Sequence, residues 1–225
     1  MEGFIPKIIK FDEHIDMPTT RIEYSFYLMA KDVGLKMMPS RLLEGETSTH
    51  FLTERYDRVD NTKVHTQTLA AMNPLANSYE DLFDVACRIG ILPAELSQLF
   101  LLMTMNVLSG NIDDHNKNFC FMMASDGVWH ITPAYDFTFS VDTSAPGYIN
   151  RHCLTINNKY VDIERADLLQ IAKRYNIKGA ESIVNKAVDV VSNYAHYAQL
   201  ANIDEHWTNK ISEEINCRIE GIKVL

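Results

Sequence analysis

One stretch, GNIDDHNKNFCFMMASDGVWHITPAYDF at positions 110–137, constrains the fold of this chain more than any other. Its two apolar runs, FCFMM and VWHIT, are separated by a turn that contains Asp-Gly, and this pattern predicts a β-hairpin. Polar side chains stand at both ends of the hairpin: Asp113 and Asn118 precede the first strand, and Asp136 follows the second. Because the two ends of a hairpin are neighbours in space, we expect these three side chains to line one pocket.

The oxygen-bearing side chains of this stretch indicate magnesium and phosphate chemistry. Carboxylate and amide oxygens, with little sulfur or imidazole nearby, suit Mg²⁺. In protein kinases a catalytic-loop Asp accepts the proton of the substrate hydroxyl, an Asn five residues later binds a metal, and an Asp-Phe-Gly after a strand hairpin holds Mg²⁺. Asp113 and Asn118 have the same interval, and Asp136-Phe137-Thr138 stands where the triplet is expected. The stretch therefore predicts a phosphoryl-transfer site, in which Lys117 would neutralise the transferring group.

A second element of such a site is a lysine on an N-terminal strand. Residues 5–11, IPKIIKF, are predicted to form a short buried strand, whose Ile-Ile-Lys has the form of the kinase V-A-I-K element. Strand alternation places Lys7 and Lys10 on opposite faces, and Lys10, which lies deeper in the apolar run, is the favoured phosphate clamp. Glu23 has two competing roles that stay open: the ion-pair partner of Lys10, or the acid of a capping box that begins at Thr20.

Composition and charge exclude several classes of protein. The chain has 225 residues, 46% of them hydrophobic, which is enough for a buried core in one or two domains. Charged residues interrupt every apolar window long enough to cross a membrane, and the N-terminus lacks the apolar run of a signal peptide. The net charge of −9 opposes direct binding to nucleic acid. The cysteines lack a C-x-x-C pair, so we expect a cytoplasmic protein with reduced, buried thiols at Cys87, Cys120 and Cys153.

The remaining periodicities predict an α+β fold, with a small strand-bearing N-terminal part and a mostly helical C-terminal part. A helix with apolar residues from Ile22 to Val33 is followed by two strands, MPSRLLEG and STHFLTERYDR. A variable polar stretch leads to a helix capped by Ser78, and Pro93 starts an amphipathic helix that ends just before the acid cluster. Further helices are predicted over 163–175, 180–199 and 211–222.

The run GNIDDHNKNFCFM…W…ITPAYDF resembles the signature of the HipA-like family of bacterial toxin kinases, and IIKFD, EYSFYLMAKDVGL and TERYDR resemble that family in the same order. The resemblance implies a kinase-like two-lobed fold, with a reduced N-terminal β lobe over 1–60 and a mostly helical C-terminal lobe over 61–225. It also implies transfer of phosphate from ATP, with Mg²⁺, to a Ser or Thr of a protein. The family's substrates are aminoacyl-tRNA synthetases, and its usual partner is a small helix-turn-helix antitoxin.

By position, the resemblance gives a role to each matching residue. These are the catalytic base Asp113 with Lys117 beside it, the metal ligands Asn118 and Asp136, the phosphate clamp Lys10, adenine contacts through the backbones of Glu54 and Tyr56, and His115 near the nucleotide. Family members normally carry a Gly/Ser-rich phosphate loop before the strand lysine, whereas only one glycine, Gly3, precedes Lys10 here. Either the chain is a fragment or a separate N-terminal subunit supplies the loop, and we expect the chain alone to be a weakened or inactive kinase.

Three other interpretations compete with the kinase. The first is a polar turn with capping acids, in which Asp113, Asn118 and Asp136 would match the spacing of the kinase residues only by accident. A non-catalytic binding module, associated with an antitoxin or a separately encoded N-terminal piece, has no chemical reason to retain the base and both metal ligands. A metal-dependent phosphohydrolase built on the Asp-Asp-His run lacks a second, separated His/Asp pair. Within that run, Asp114 is expected to be a solvated turn acid, and His115 either contacts the nucleotide or braces the loop.

Overall fold

The computed structural model describes residues 5–12, 16–46, 48–59, 62–144 and 150–223, and Gly3 lies outside these ranges. Eight strands and eight helices lie in this part of the chain. The strands are β1 (Lys7–Lys10), β2 (Ser40–Glu44), β3 (Thr49–Glu54), β4 (Arg58–Val59), β5 (Thr62–Lys63), β6 (His65–Thr68), β7 (Cys120–Met123) and β8 (Trp129–Ile131). The helices are α1 (Thr19–Val33), α2 (Leu69–Met72), α3 (Tyr79–Arg88), α4 (Pro93–Ser109), α5 (Arg165–Arg174), α6 (Ala180–Ser192), α7 (Tyr194–Leu200) and α8 (Glu205–Lys223).

Small sheets followed by a mostly helical remainder give the α+β fold that the periodicities predict. The division into 1–60 and 61–225 stays a prediction. No helix in the described ranges is both long and apolar enough to cross a membrane. The four cysteines are free, but only Cys120 is buried, so the expectation of buried thiols is wrong for Cys87 and Cys153.

The N-terminal sheet carries the predicted strand lysine. Its order is β1-β3-β2 with antiparallel pairing, and Lys10 stands opposite Phe51. The strand predicted over 5–11 is present as β1, but the prediction that it is buried is wrong. Within the described residues β1 pairs with β3 alone, and this edge position leaves Ile8 and Ile9 44% and 40% exposed.

Helix α1 packs against this sheet through the predicted apolar stripe. Ile22, Phe26, Met29 and Val33 are all buried, since residues three or four apart share one face of a helix. The helix ends at Gly34, as predicted, and this glycine has the left-handed conformation common after a helix, with a φ of 88°.

The start of α1 is capped from outside the helix. Asp12 Oδ1 accepts hydrogen bonds from the hydroxyl of Thr19 (2.9 Å) and from the amide of Thr20 (2.8 Å). The second bond satisfies a backbone donor that has no partner inside the helix, and the first holds Asp12 in place beside it. The capping box that begins at Thr20 is therefore wrong, and Glu23 is released for another role.

The hairpin predicted from the central stretch is formed by β7 and β8, with Met123 opposite Trp129. A third strand joins it, because β6 pairs with β7 and places Thr68 opposite Cys120. The polar stretch before Ser78, for which the sequence predicted no regular structure, therefore contains the strand β6 and the short helix α2. Both elements pack beside the start of the hairpin and hold it in place.

Helix α4 runs through the core and delivers the acid cluster. It begins at Pro93 and ends at Gly110, as the sequence predicts, and Leu99, Phe100 and Met103 on its predicted stripe are buried. Helix α3 is capped as predicted, because the hydroxyl of Ser78 accepts a hydrogen bond from the backbone of the first turn.

Two of the C-terminal predictions need correction. The helix predicted over 180–199 is divided at Asn193, whose amide bonds three residues back to Val190 (3.1 Å) and so tightens the turn between α6 and α7. The last helix begins at Glu205 instead of residue 211. Its first turn is secured by Asp204, which accepts a hydrogen bond from the amide of Trp207 (3.0 Å).

Candidate active site

The loop that follows α4 holds Asp113 by its backbone and exposes its side chain. The hydroxyl of Ser140 accepts hydrogen bonds from the amides of Ile112 (2.8 Å) and Asp113 (3.0 Å). The carboxylate of Asp113 is 63% exposed. Its oxygen Oδ1 accepts a long hydrogen bond from the thiol of Cys153 (3.7 Å). The arrangement presents a carboxylate to solvent from a fixed backbone.

Asn118 is oriented by the same loop. Its Nδ2 donates to the carbonyl oxygen of Asp113 (2.8 Å), so the amide oxygen Oδ1 remains for a ligand in the cavity that Asn118 borders. The loop between them is tied to the neighbouring segment, because the Asn116 carbonyl accepts from the amide of Ala70 (3.0 Å) and its side chain donates to Ala76 (3.1 Å). Asp113 and Asn118 are therefore held in a fixed relation.

Asp136 returns to this loop from the far end of the hairpin. Its φ of 49° lies in the left-handed region that residues other than glycine seldom adopt. Its carbonyl oxygen accepts a weak hydrogen bond from Nδ2 of Asn111 (3.4 Å). The next residue, Phe137, is fully buried and its ring lies 5.2 Å from that of Phe26 on α1. The buried Phe137 anchors the chain, and the unusual backbone directs the half-exposed carboxylate of Asp136 into the cleft.

Two cavities meet at Asp136. One, of about 410 Å³, is bordered by Asn111, Asp113, His115, Lys117, Asn118, Tyr135, Asp136, Thr138 and Ser140. The other, of about 350 Å³, lies against the N-terminal sheet and is bordered by residues that include Lys10, Glu23, Phe51, Glu54, Tyr56, Tyr135 and Asp136. Because Tyr135 and Asp136 border both, the two cavities form one cleft. This cleft brings together every residue that the sequence assigns to the site.

Lys10 joins the two halves of the cleft. Its Nζ donates to Glu23 Oε1 (2.7 Å) and to Asp136 Oδ1. Burial alone lowers the pKa of Lys10, but the charges of Glu23 and Asp136 outweigh it and raise that pKa above 10.5. Burial dominates at Glu23, which is only 9% exposed, and raises its pKa despite the attraction to Lys10. Of the two roles left open for Glu23, the structure shows the ion pair.

The other lysine of β1 has a different environment. Lys7 forms an ion pair with Glu54 at the surface (3.1 Å), on the opposite face of the strand from Lys10. Lys10 is therefore the lysine of β1 that lies in the cleft. Its contact with phosphate stays a prediction.

Glu54 and Tyr56 lie where β3 leaves the N-terminal sheet. The amide of Glu54 donates to the carbonyl of Pro39 (3.1 Å), whereas the amide of Tyr56 has no hydrogen-bond partner in the described part of the chain. The ring of Tyr56 stacks on Tyr135, with ring centres 5.8 Å apart. Beside them, Arg55 lowers the pKa of Asp57 below its usual 3.8 through two hydrogen bonds of 2.8 and 2.7 Å. These contacts fix the backbone segment that the family resemblance assigns to adenine.

Lys117 and His115 stand at the mouth of the cavity around Asp113. The Lys117 carbonyl accepts a hydrogen bond from the hydroxyl of Tyr135 (2.7 Å), and its ammonium forms no ion pair within the described ranges. The His115 carbonyl accepts from the amide of Asn118 (2.9 Å), so the backbone of His115 braces the loop. Its ring lies 4.0 Å from Asp113 Oδ1, and a contact with nucleotide stays a prediction.

Asp114 is not the solvated turn acid that the sequence suggests. It is 1% exposed and accepts hydrogen bonds from the hydroxyl of Tyr79 (2.6 Å), from Nδ1 of His152 (2.8 Å) and from the amide of Cys153 (2.7 Å). Tyr79 and His152 come from segments far away in the chain. A buried carboxylate with several donors anchors the loop to α3 and to the segment after the cleft.

Sequence reasoning missed four residues that build the site: Ser140, Asn111, Tyr79 and His152. Asn111 belongs to the polar cluster, and the many polar residues beside it in the sequence could have indicated that it lines the site. Ser140 follows Asp136 closely, but nothing in the sequence shows that its hydroxyl binds the amides before Asp113. Tyr79 and His152 carry no local signal, since their partner Asp114 is 35 and 38 residues away.

The described residues offer oxygen ligands but no ready cluster of metal-binding side chains. No group of three or more His, Cys, Asp or Glu among them is placed to hold a metal ion. The set at the cleft consists of one carboxylate, Asp136, and one amide oxygen, on Asn118. Mg²⁺ typically completes such a set with water and substrate phosphates.

Two solved structures share this fold. One is the toxin HipA of Shewanella oneidensis MR-1 in its complex with HipB and operator DNA, with a TM-score of 0.68 and 15% identity over 97% of this chain and 61% of that one. The other is the Helicobacter pylori proinflammatory kinase CtkA, with a TM-score of 0.63 and 16% identity over 96% of this chain and 87% of that one. The chain thus spans less than two thirds of the HipA chain.

The fold and the cleft define the class of protein: a kinase-like α+β fold with a small N-terminal β lobe and a mostly helical C-terminal lobe. Residues 2–207 match the HipA-like C-terminal domain family, and the chain belongs to that family. No curated protein sequence matches the chain.

Proposed function

We propose that the chain is a HipA-type toxin kinase, which transfers the γ-phosphate of ATP to a serine or threonine hydroxyl of a protein. One observation carries the proposal: Asp113, Asn118 and Asp136 border one cavity, and Lys10 reaches Asp136 from the neighbouring sheet. A base, two oxygen ligands and a cation are the groups that phosphoryl transfer requires of the protein, because its catalysis consists of positioning and charge stabilisation.

In this proposal Asp113 is the general base. Its carboxylate accepts the proton of the substrate hydroxyl as the oxygen attacks phosphorus. Partial desolvation and the neighbouring charges of Asp114 and Asp113 raise the pKa of Cys153 to about 11, so its thiol stays protonated and donates to Oδ1 of Asp113, which leaves Oδ2 to accept the proton. Ser140 holds the backbone of Asp113 during this step, and Lys117 offsets the charge that develops on the transferred group.

The residues at the end of the hairpin fit Mg²⁺. Asp136 would supply a carboxylate oxygen and Asn118 its amide oxygen, which the hydrogen bond of its Nδ2 leaves available. When bound, the ion would offset the negative charge of the phosphates. Lys10 would exchange Asp136 for a phosphate oxygen and would keep Glu23 as its partner. At the other end of the cleft, the Tyr56 amide would donate to the adenine.

Calorimetric titration of ATP in the presence of Mg²⁺ tests the proposal. Three proteins are compared: the unaltered chain, Asp136→Asn, and the control Asp189→Asn, which changes an exposed aspartate on α6 far along the chain from the cleft. We expect saturable binding that Asp136→Asn and EDTA both abolish and that Asp189→Asn retains. Binding that survives Asp136→Asn unchanged would contradict the assigned metal site.

The substrate and the antitoxin are proposed from the family. We propose an aminoacyl-tRNA synthetase as the phosphorylated protein and a helix-turn-helix antitoxin as the partner. The Shewanella HipA is itself found with HipB and operator DNA, which supports such a partner. The net charge of −9 favours contact with DNA through the antitoxin rather than through this chain. A mobility-shift assay with the chain alone, and then with the antitoxin, distinguishes contact with DNA through the chain from contact through the antitoxin.

The exposed edge of β1 favours one further role, the binding of a separate N-terminal subunit. Ile9, which does not border the cleft, is 40% exposed on a strand whose outer edge has no partner within the described residues. Open edges and apolar side chains are the features to which an added strand binds. A chain that acts only as such a binding module would hold a partner here without binding Mg-ATP, and the titration above distinguishes the two functions.

A further inference from the structure

A groove of about 370 Å³ adjoins the nucleotide cleft and is bordered by residues of β4, β7 and β8. Met38, Arg55 and Tyr56 border both the groove and the cleft, whereas the other residues of the groove do not border the cleft. The proposed transfer of phosphate uses none of the residues that border the groove alone. The groove is therefore a surface to which the proposed chemistry gives no role.

Most side chains of the groove are apolar, and a ligand can reach them. The apolar ones with a sizeable side chain are Met38, Val59, Val64, Met122, Met123 and Pro133. Val59 is 56% exposed, and the others are half-buried. Methionine side chains are flexible and polarisable, so three of them in one groove can adapt to the shape of a bound peptide. A small metabolite is usually enclosed by its pocket, so this open groove favours a segment of polypeptide.

Two arginines give the groove a positive charge. Arg55 and Arg58 both border it, and both are paired with Asp57, at 2.7 and 2.5 Å. Asp57 offsets one of the two charges and does not itself border the groove. Among the residues that the structure describes, no Asp or Glu borders the groove. This part of the chain therefore leaves one positive charge at the groove, which an acidic ligand would balance.

Arg58 retains N–H donors for such a ligand. It bonds to Asp57 through Nη1, whereas its Nε and Nη2 form no hydrogen bond within the described ranges. These two nitrogens form the fork with which a guanidinium binds a carboxylate by two parallel hydrogen bonds. The side chain of Arg58 is 29% exposed, so a carboxylate from another molecule can approach it.

We propose that this groove binds a short segment of a partner protein in which an Asp or Glu lies beside aliphatic residues. The carboxylate of the segment pairs with the free fork of Arg58. Its aliphatic side chains pack against Val59 and against Met122 and Met123. The site is independent of the proposed transfer of phosphate, and its test needs neither ATP nor kinase activity.

Selection from a library of random peptides displayed on phage, with the whole chain as the target, tests the chemistry of the ligand. We expect the selected peptides to share an Asp or Glu beside an aliphatic residue. Synthetic versions in which the acid is replaced by its amide should bind roughly tenfold more weakly in calorimetry, because the amide forms no charged pair with Arg58. Selected peptides without an acid, amide versions that bind equally well, or the recovery of no peptide overturn the proposal.

The methyl signals of the methionines show where a selected peptide binds. Met122 and Met123 border the groove and not the cleft, whereas Met37 borders the cleft and not the groove. In a chain labelled with ¹³C at the methionine methyl groups, we expect the peptide to shift the signals of Met122 and Met123 more than that of Met37. A shift of Met37 alone places the peptide in the cleft and overturns the proposal. Shifts of Met122 and Met123 that follow the concentration of the chain alone identify a second copy as the occupant and also overturn it.

A matched pair of variants tests the contact with Arg58. Arg58→Gln removes the charge of this side chain and leaves Asp57 paired with Arg55, so the fold should be retained. Arg88→Gln makes the same change at an exposed arginine of α3 that does not border the groove. We expect Arg58→Gln to weaken binding of the selected peptide roughly tenfold, and Arg88→Gln to change it less than about twofold. Equal binding by the two variants overturns the proposal.

Discussion

Asp113 and Asp114 are adjacent in the chain, yet one side chain faces the cleft and the other is buried in a network. Asp113→Asn removes the proposed base and leaves its backbone contacts with Ser140 in place. We expect the rate of phosphate transfer to fall roughly 10²- to 10⁴-fold, the usual effect of losing a general base. Single-turnover transfer of the γ-phosphate from ATP to protein measures this rate. The free energy of unfolding should change by less than about 0.5 kcal/mol, because the carboxylate is exposed.

Asp114→Asn should have the opposite effect. The amide cannot accept from Tyr79, His152 and the amide of Cys153 as a carboxylate does, and its own NH₂ would face other donors. We expect a loss of about 2–4 kcal/mol in the free energy of unfolding, measured in urea. If instead Asp114→Asn were as stable as the unaltered chain and lost all transfer activity, the roles of the two acids would have to be exchanged.

The difference between these two acids shows which roles of a single residue can be predicted from sequence. Asp113 was assigned from its interval to Asn118, which is a local pattern. The burial of Asp114 depends on Tyr79 and His152, 35 and 38 residues away, and no local pattern encodes where those segments pack. Glu23 is an intermediate example, because its local sequence fits both a capping role and an ion-pair role. The structure decides for the ion pair, since Asp12 caps α1.

Among the structural elements, the turn from α4 into the catalytic loop depends on one glycine. Gly110 has a φ of 74°, and a Cβ there would lie 3.1 Å from Val141 and 3.2 Å from Phe139. Gly110→Ala should therefore lose the conformational freedom of glycine and also displace these side chains, at about 2–4 kcal/mol. Chemical unfolding measures the loss, and Mg-ATP binding should weaken with it because the loop carries Asp113 and Asn118.

The hairpin offers a matched control. Gly127 has a similar φ of 83°, but a Cβ there meets no atom within 4 Å. Gly127→Ala should cost about 1 kcal/mol for the backbone alone. Equal losses in the two variants would mean that the packing of Val141 and Phe139 against Gly110 is loose, and that the glycine is required only for its backbone.

Elements were predictable where the chain encodes them locally. The hairpin of β7 and β8 has two apolar runs around an Asp-Gly turn, and α4 has a proline at its start and a glycine at its end. The strand β6, HTQT, is short and polar and exists because β7 provides its hydrogen-bond partners. The position of strand β1 was predicted correctly, but its burial was not, because the exposure of a strand depends on which strands lie beside it.

At the scale of the whole molecule, Lys10 joins three distant parts of the chain. It lies on β1, pairs with Glu23 on α1, and reaches Asp136 at the end of the hairpin. The sequence suggested the contact with Glu23 as one of two roles for that residue and did not suggest the contact with Asp136, which depends on how the N-terminal sheet and the hairpin meet. The cleft that we propose for ATP is formed at this meeting point, so the charge of Lys10 contributes to the shape of the site and to its stability.

Lys10→Met leaves Glu23 buried without a cation, and the consequence should depend on pH. Burial already raises the pKa of Glu23 above 4.5, and the loss of Lys10 raises it further. A carboxyl with a raised pKa in the folded state favours folding below its unfolded pKa, and this advantage is lost as the pH rises through the folded value. We expect the variant to resemble the unaltered chain near pH 4.5 and to be about 1–3 kcal/mol less stable at roughly pH 7, measured by urea unfolding at both values.

Two further variants separate this effect from a general loss of charge. Lys7→Met makes the same change on the same strand, but its ion pair with Glu54 is partly exposed, so it should cost less than about 1 kcal/mol at either pH. Glu23→Gln combined with Lys10→Met removes the buried charge and should recover stability at neutral pH. The loss of stability in Lys10→Met could instead be independent of pH, or could persist when Glu23→Gln is added. Either result would show that the cleft is stabilised by the methylenes of Lys10 and not by its charge.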